Sequence, residues 1–72
     1  MHDLIKPFRL QLKKIKTIDR NLEMTLDLHV NEFHMSQFLR DVQVYGLYEA
    51  LLYAKNEDLA RAILIDLKLI PA

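Results

Sequence analysis

The sequence predicts an α+β fold, in which an N-terminal antiparallel β-hairpin with strands at about 8–16 and 22–30 is covered by short helices. Apolar residues recur with a period of two in the first half and with a helical period in the second half. A chain of 72 residues also has room for only one small domain, 1–72, with no linker. Two or three helices are predicted, at about 35–45, 47–55 and 57–67.

The first predicted strand contains an irregularity. Apolar and polar residues alternate from Phe8 to Leu12, and the alternation breaks at Lys13–Lys14. A one-residue β-bulge there would restore the pairing with a second strand. The connection is then either a tight turn at Asp19–Arg20 or a looser loop over residues 17–21, because Asp-Arg is a poor pair for a two-residue turn.

The second predicted strand has the most regular pattern in the chain. Five apolar residues alternate with four polar residues between Leu22 and Val30. This alternation is typical of a strand with one buried face. Because two strands alone are marginally stable in water, the rest of the chain is expected to cover that face.

An apolar stripe with helical spacing opens the second half, at Met35, Phe38, Leu39 and Val42. Ser36 is the predicted N-cap of this helix, since its hydroxyl could accept a hydrogen bond from a nearby backbone amide. Gly46 is the only glycine of the chain, and we expect the helix to break or bend there.

The last predicted helix has clear signals at both ends. Asn56 is followed by Glu57 and Asp58, a cap residue and two acids that suit the positive end of the helix dipole. Lys68 is predicted to take the left-handed position that ends the helix, with an apolar residue and a proline after it. The alternative interpretation is a terminal strand over residues 63–69.

The apolar surface of this last helix is wider than one covered face requires. We therefore predict that the protein is a homodimer and that the extra arc is the subunit interface. The predicted interface residues are Ala62, Ile65, Asp66 and Leu69. A carboxylate on such an arc needs a partner or exposure, so Asp66 is expected either to pair with a base of the second subunit or to lie exposed at the edge.

Little in the sequence points to catalysis. The chain has no cysteine, one serine and no glycine-rich loop, so we predict a protein that is not an enzyme and has no cofactor. His29, Glu32 and His34 could in principle hold a metal, but their spacing matches no standard pattern, and no metal site is predicted.

The formal net charge of zero conceals two halves of opposite charge. Residues 1–20 carry six bases and two acids, a net +4, whereas residues 21–72 carry four bases and eight acids, a net −4. Such a division favours contact with a partner of complementary charge. The predicted partner-binding residues are Arg9, Lys13, Lys14 and Lys16, and the alternative binding surface is an acidic helix edge at Asp41, Glu49 and Asp58.

These observations predict a small protein–protein interaction module, a regulator, adaptor or inhibitor that acts as a homodimer. The alternative is a nucleic-acid-binding regulator that uses the basic hairpin. No signal peptide or membrane-spanning segment is evident, so we expect a cytoplasmic protein without a membrane partner.

Overall fold

The regular structure of the chain is entirely helical, and no strand forms in the part that the structure describes. The structure is a computed structural model, and it describes residues 2–72. The elements are α1 (His2–Ile5), a 3-10 turn (Lys6–Phe8), α2 (Arg9–Lys13), α3 (Arg20–His29), α4 (Glu32–Tyr45), α5 (Leu47–Ala54) and α6 (Glu57–Asp66).

The predicted α+β fold with its β-hairpin is wrong. Residues 8–16 contain α2, and the alternating segment 22–30 is almost entirely α3. In a helix, residues four apart share a face, so an alternating series divides between two faces. Leu22 and Leu26 are buried accordingly, while Met24 and Leu28 are 61% and 83% exposed on another side of the same helix.

The boundaries of α2 and α3 replace the predicted bulge and turn. Lys14 is the C-cap of α2, so the break in alternation marks a helix end. Asp19 is the N-cap of α3, where its side chain accepts a hydrogen bond of 2.9 Å from the Leu22 amide. The residues between these caps, 15–18, have no regular structure.

Helix α4 begins earlier than predicted. Asn31 caps it by accepting a hydrogen bond of 3.1 Å from the His34 amide. The predicted cap, Ser36, is wrong: it lies inside the helix and is exposed. Three residues that the sequence left in a connection, from Glu32 onward, therefore belong to α4.

The predicted break at Gly46 is confirmed, and the corner between α4 and α5 rests on the end of α2. Gly46 has a φ of 96°, and a Cβ added there would lie 2.5 Å from the carbonyl oxygen of Lys13. The Leu47 amide beside it donates a hydrogen bond of 2.9 Å to the Ile15 carbonyl. The backbone of the two segments is thus in direct contact.

The two helices predicted after the glycine form as α5 and α6. Asn56 is confirmed as the N-cap of α6, where its side chain accepts a hydrogen bond of 3.0 Å from the Leu59 amide. Its Nδ2 also donates to the His29 carbonyl at 3.1 Å. One side chain therefore joins the start of α6 to the end of α3.

The predicted exit at Lys68 is also confirmed, and the alternative strand over 63–69 does not form. Lys68 is left-handed, with a φ of 60°. Its amide donates to the Ile65 carbonyl, and the Leu69 amide donates to the Leu64 carbonyl, both at 2.9 Å. These two bonds define a Schellman motif.

The core is continuous and apolar. Helices α1 and α3 pack on α6, α2 packs on α5, and α4 packs on α5. No polar or charged side chain is buried among the described residues. The buried residues are Ile5, Leu12, Leu22, Leu26, Phe38, Val42, Leu47, Tyr48, Ala50, Leu51, Leu59, Ala60, Ile63 and Leu64. In residues 2–72, no helix is both long enough and apolar enough to cross a membrane.

Candidate interaction surfaces

A groove of about 360 Å³ runs beside α4 and α5 and reaches the end of α3 and the start of α6. Its buried lining residues are Phe38, Ala50 and Leu59, which give it an apolar floor. Polar side chains, including His34 and Asp41, stand around this floor. The groove therefore combines a small apolar floor with a largely polar edge.

Asp41 and Tyr53 line one edge of the groove, and Tyr45 and Glu49 contact Tyr53 beside it. We name the acidic rim as the set Asp41, Tyr45, Glu49 and Tyr53. Helices α4 and α5 each supply an acid and a tyrosine four residues apart, and this spacing places the two side chains on the same face of their helix. The rings of Tyr45 and Tyr53 meet edge to face, with centroids 5.8 Å apart, and both residues are about half exposed.

Hydrogen bonds hold the acidic rim in place. The Tyr53 hydroxyl donates to Glu49 Oε2 at 3.1 Å, and Gln37 Nε2 donates to Asp41 Oδ1 at 2.9 Å. The bond to Glu49 raises the pKa of Tyr53 above its ordinary value of 10.0, and desolvation together with the charges of Glu49, Tyr45 and Asp41 raises it further. These side chains therefore share one region of negative potential.

The predicted partner-binding residues lie on and just after α2, not on a strand. We name Arg9, Lys13, Lys14 and Lys16 the basic row. All four are exposed, and none forms an ion pair within residues 2–72. The Arg9 guanidinium lies 6.0 Å from the centre of the Tyr48 ring. Leu10, which is 66% exposed, interrupts the row with an apolar side chain.

The predicted dimer interface lies on α6 and just after its end, and other helices of the same chain pack on α6. Ala62, Ile65, Asp66 and Leu69 are all partly buried, and α1 and α3 pack on α6. The Thr25 hydroxyl of α3 donates a hydrogen bond to Asp66 Oδ2. Asp66 thus has a partner within the chain, and the use of these residues in a dimer stays a prediction.

The structure exposes apolar side chains that the sequence interpretation had placed inside. Met24 and Leu28 were assigned to the buried face of a strand, and the helix turns both outward. Phe33 is 87% exposed just after the α3–α4 turn. The helical spacing of Met24 and Leu28 could have indicated this surface, whereas no local signal in the sequence indicates the groove.

The histidine and carboxylate set considered for a metal does not assemble. No group of three or more side chains able to ligate a metal comes together in the described part of the chain. His29 and His34 both line the groove. The His34 ring makes an edge contact with Phe33 at 5.0 Å.

Comparisons with protein-family models, with curated proteins and with solved structures find no match for this chain. The features of this chain that bear on function are the groove, the acidic rim, the basic row and the exposed apolar side chains.

Proposed function

We propose that the protein is a non-enzymatic protein–protein interaction module that acts as a homodimer. The observation that carries this proposal is the number of large apolar side chains at the surface of so small a fold. Apolar surface marks interaction sites on soluble proteins where it forms a contiguous patch, and the touching rings of Tyr45 and Tyr53 are such a place. The exposed residues are Leu10, Met24, Leu28, Phe33, Leu39, Val44, Tyr45 and Tyr53.

The chemistry of these residues favours a protein partner. Aromatic residues and methionine are enriched at the cores of protein interfaces, with polar groups around them. The groove follows the same plan, since polar side chains surround its apolar floor. Several of these polar groups are already engaged in hydrogen bonds within the chain, as in the pairs Gln37–Asp41 and Asn56–His29. Because these hydrogen bonds hold the polar groups in fixed positions, a partner protein of complementary shape and charge can recognise them.

The proposal is tested by the molar mass in solution. The monomer has a mass of 8.5 kDa, and we expect light scattering at micromolar concentrations to give twice that value. The mass should fall toward the monomer on dilution, because association follows mass action. A mass that stays at the monomer value over the whole concentration range would refute the homodimer.

The unpaired basic row supports nucleic-acid binding as a second candidate function. When binding neutralises phosphates, the logarithm of the association constant falls linearly with the logarithm of the salt concentration. Each neutralised phosphate contributes about one unit to the slope. We expect the double variant Lys13→Glu, Lys14→Glu to abolish the binding of nucleic acid. If nucleic acid is bound equally well by this variant, the basic row is not the binding surface.

A further inference from the structure

We propose that the two subunits join by placing the α2 surface of one copy in the groove of the other. Leu10 enters the groove, and the basic row of the same copy lies against the acidic rim of its partner. This inference rests on the proposed homodimer and names the surfaces that form it.

The α2 surface presents an apolar side chain among cations. Leu10 is 66% exposed, although it lies in a helix whose Leu12 is fully buried. Lys13 and Lys14 follow Leu10 by three and four residues, so the helix brings them to the same side. Arg9 precedes it directly. The surface is therefore an apolar projection with positive charge around it.

The groove has the complementary form. Its floor is apolar, and its volume of about 360 Å³ leaves room for a side chain of the size of leucine. On the acidic rim, Asp41 lines the groove, and Glu49 accepts a hydrogen bond from the groove-lining Tyr53. Exposed tyrosine rings between two carboxylates also suit a lysine or arginine, because the face of an aromatic ring attracts a cation.

Both surfaces are available to a second copy. Within residues 2–72 the one ion pair joins Arg61 to Glu57, so no base of the basic row is paired with an acid of the acidic rim in its own chain. A chain with a net +4 in residues 1–20 and a net −4 in the remainder can satisfy both halves by pairing with itself. The two-fold arrangement of a homodimer makes the contact twice and leaves neither surface open.

The test is an exchange of charges between the two surfaces. One variant carries Lys13→Glu and Lys14→Glu, and the other carries Asp41→Lys and Glu49→Lys. Each variant alone places like charges against each other, and we expect its dimer dissociation constant to rise tenfold or more. An equimolar mixture places opposite charges together in both contacts, so it should form a heterodimer, detected by native mass spectrometry.

Leu10→Ser tests the apolar part of the contact, with Gln43→Ser as its control. Gln43 is exposed on α4, does not line the groove and is not one of the exposed apolar residues on which the proposed function rests. We expect Leu10→Ser to weaken the dimer and Gln43→Ser to leave it unchanged. Circular dichroism melting of every variant separates a lost contact from a lost fold.

The outcomes distinguish this inference from the proposed function. If the unaltered protein is monomeric at every concentration, both are refuted. If it is dimeric and the charge reversals leave it so, the homodimer stands and the contact proposed here is wrong. If the variants dissociate but their mixture does not associate, the proposed charge pairing is likewise refuted. If Ala62→Arg dissociates the dimer and neither the charge reversals nor Leu10→Ser does so, the interface lies on α6 and the inference is overturned.

Discussion

Gly46 occupies a position where any side chain would strike the backbone of another segment. A Cβ there would lie 2.5 Å from the Lys13 carbonyl oxygen, and the φ of 96° is unfavourable for other residues. We expect Gly46→Ala to lower the free energy of unfolding by about 1–3 kcal/mol or more. Urea denaturation measures the change. Gln43→Ala, at an exposed position of α4, is the control and should have little effect.

Tyr53 provides a test of the acidic rim by pH. Its pKa is raised, chiefly by the hydrogen bond to Glu49, so the folded protein holds the phenolic proton more tightly than the unfolded chain does. The stabilising contribution is therefore complete below pH 10 and is lost as the pH rises through the raised pKa.

We expect Glu49→Gln to bring the pKa of Tyr53 back toward 10.0, because the charge and the strongest acceptor are removed together. NMR titration of ring-labelled tyrosine measures the shift for each tyrosine separately. An unchanged pKa for Tyr53 would show that Glu49 does not accept a hydrogen bond from the Tyr53 hydroxyl in solution.

Helix α3 shows why the sequence suggested a strand. Its apolar residues lie at every second position, and this spacing includes the spacing of four that a helix also uses. The composition was the better guide, because Arg, Leu, Glu and Met favour helices and the only β-branched residue inside α3 is Thr25. No glycine was available for the predicted hairpin turn either.

The elements that were predicted correctly are those with local end signals. Asn56 at the start of α6 and Lys68 at its exit act through backbone groups within a few residues, so the sequence contains the whole signal. Helix α1 has only four residues and owes its stability to contact with α6. No window of sequence contains that information.

Asn56 has two separable roles, and two substitutions divide them. Asn56→Ala removes both the cap of α6 and the bond to the His29 carbonyl, and we expect a loss of about 1–2 kcal/mol in unfolding free energy. Asn56→Asp keeps the acceptor and loses only the donor, so its loss should be smaller. Equal losses in thermal or urea unfolding would mean that the cap contributes nothing.

The arrangement of all six helices explains how the apolar surface of α6 is covered. The sequence predicts that the wide apolar arc of this helix is a subunit interface. Helices α1 and α3 of the same chain pack on α6, and Ile5 of α1 is fully buried. The use of the arc in a dimer stays a prediction. The sequence correctly indicated exposed charge in the basic row, whereas the groove depends on how four helices meet and could not be predicted.

The role of α1 is tested by Ile5→Ala. Ile5 is completely buried, so truncation leaves a cavity beside α6, and we expect a loss of about 2–4 kcal/mol in unfolding free energy. Leu28→Ala is the control, since that side chain is 83% exposed and its loss should be within about 0.5 kcal/mol of neutral. Similar losses for both would contradict the placement of α1.

The contact between α1 and α6 also fixes an order of events while the chain is being made. The ribosome produces α1 before α6, yet α1 packs on α6 in the folded chain. Nascent α1 therefore stays uncovered until α6 has emerged, whereas α4 and α5 can pair as soon as both are outside the tunnel. A chain stalled before Glu57 would present Ile5 to chaperones, and a finished chain would not.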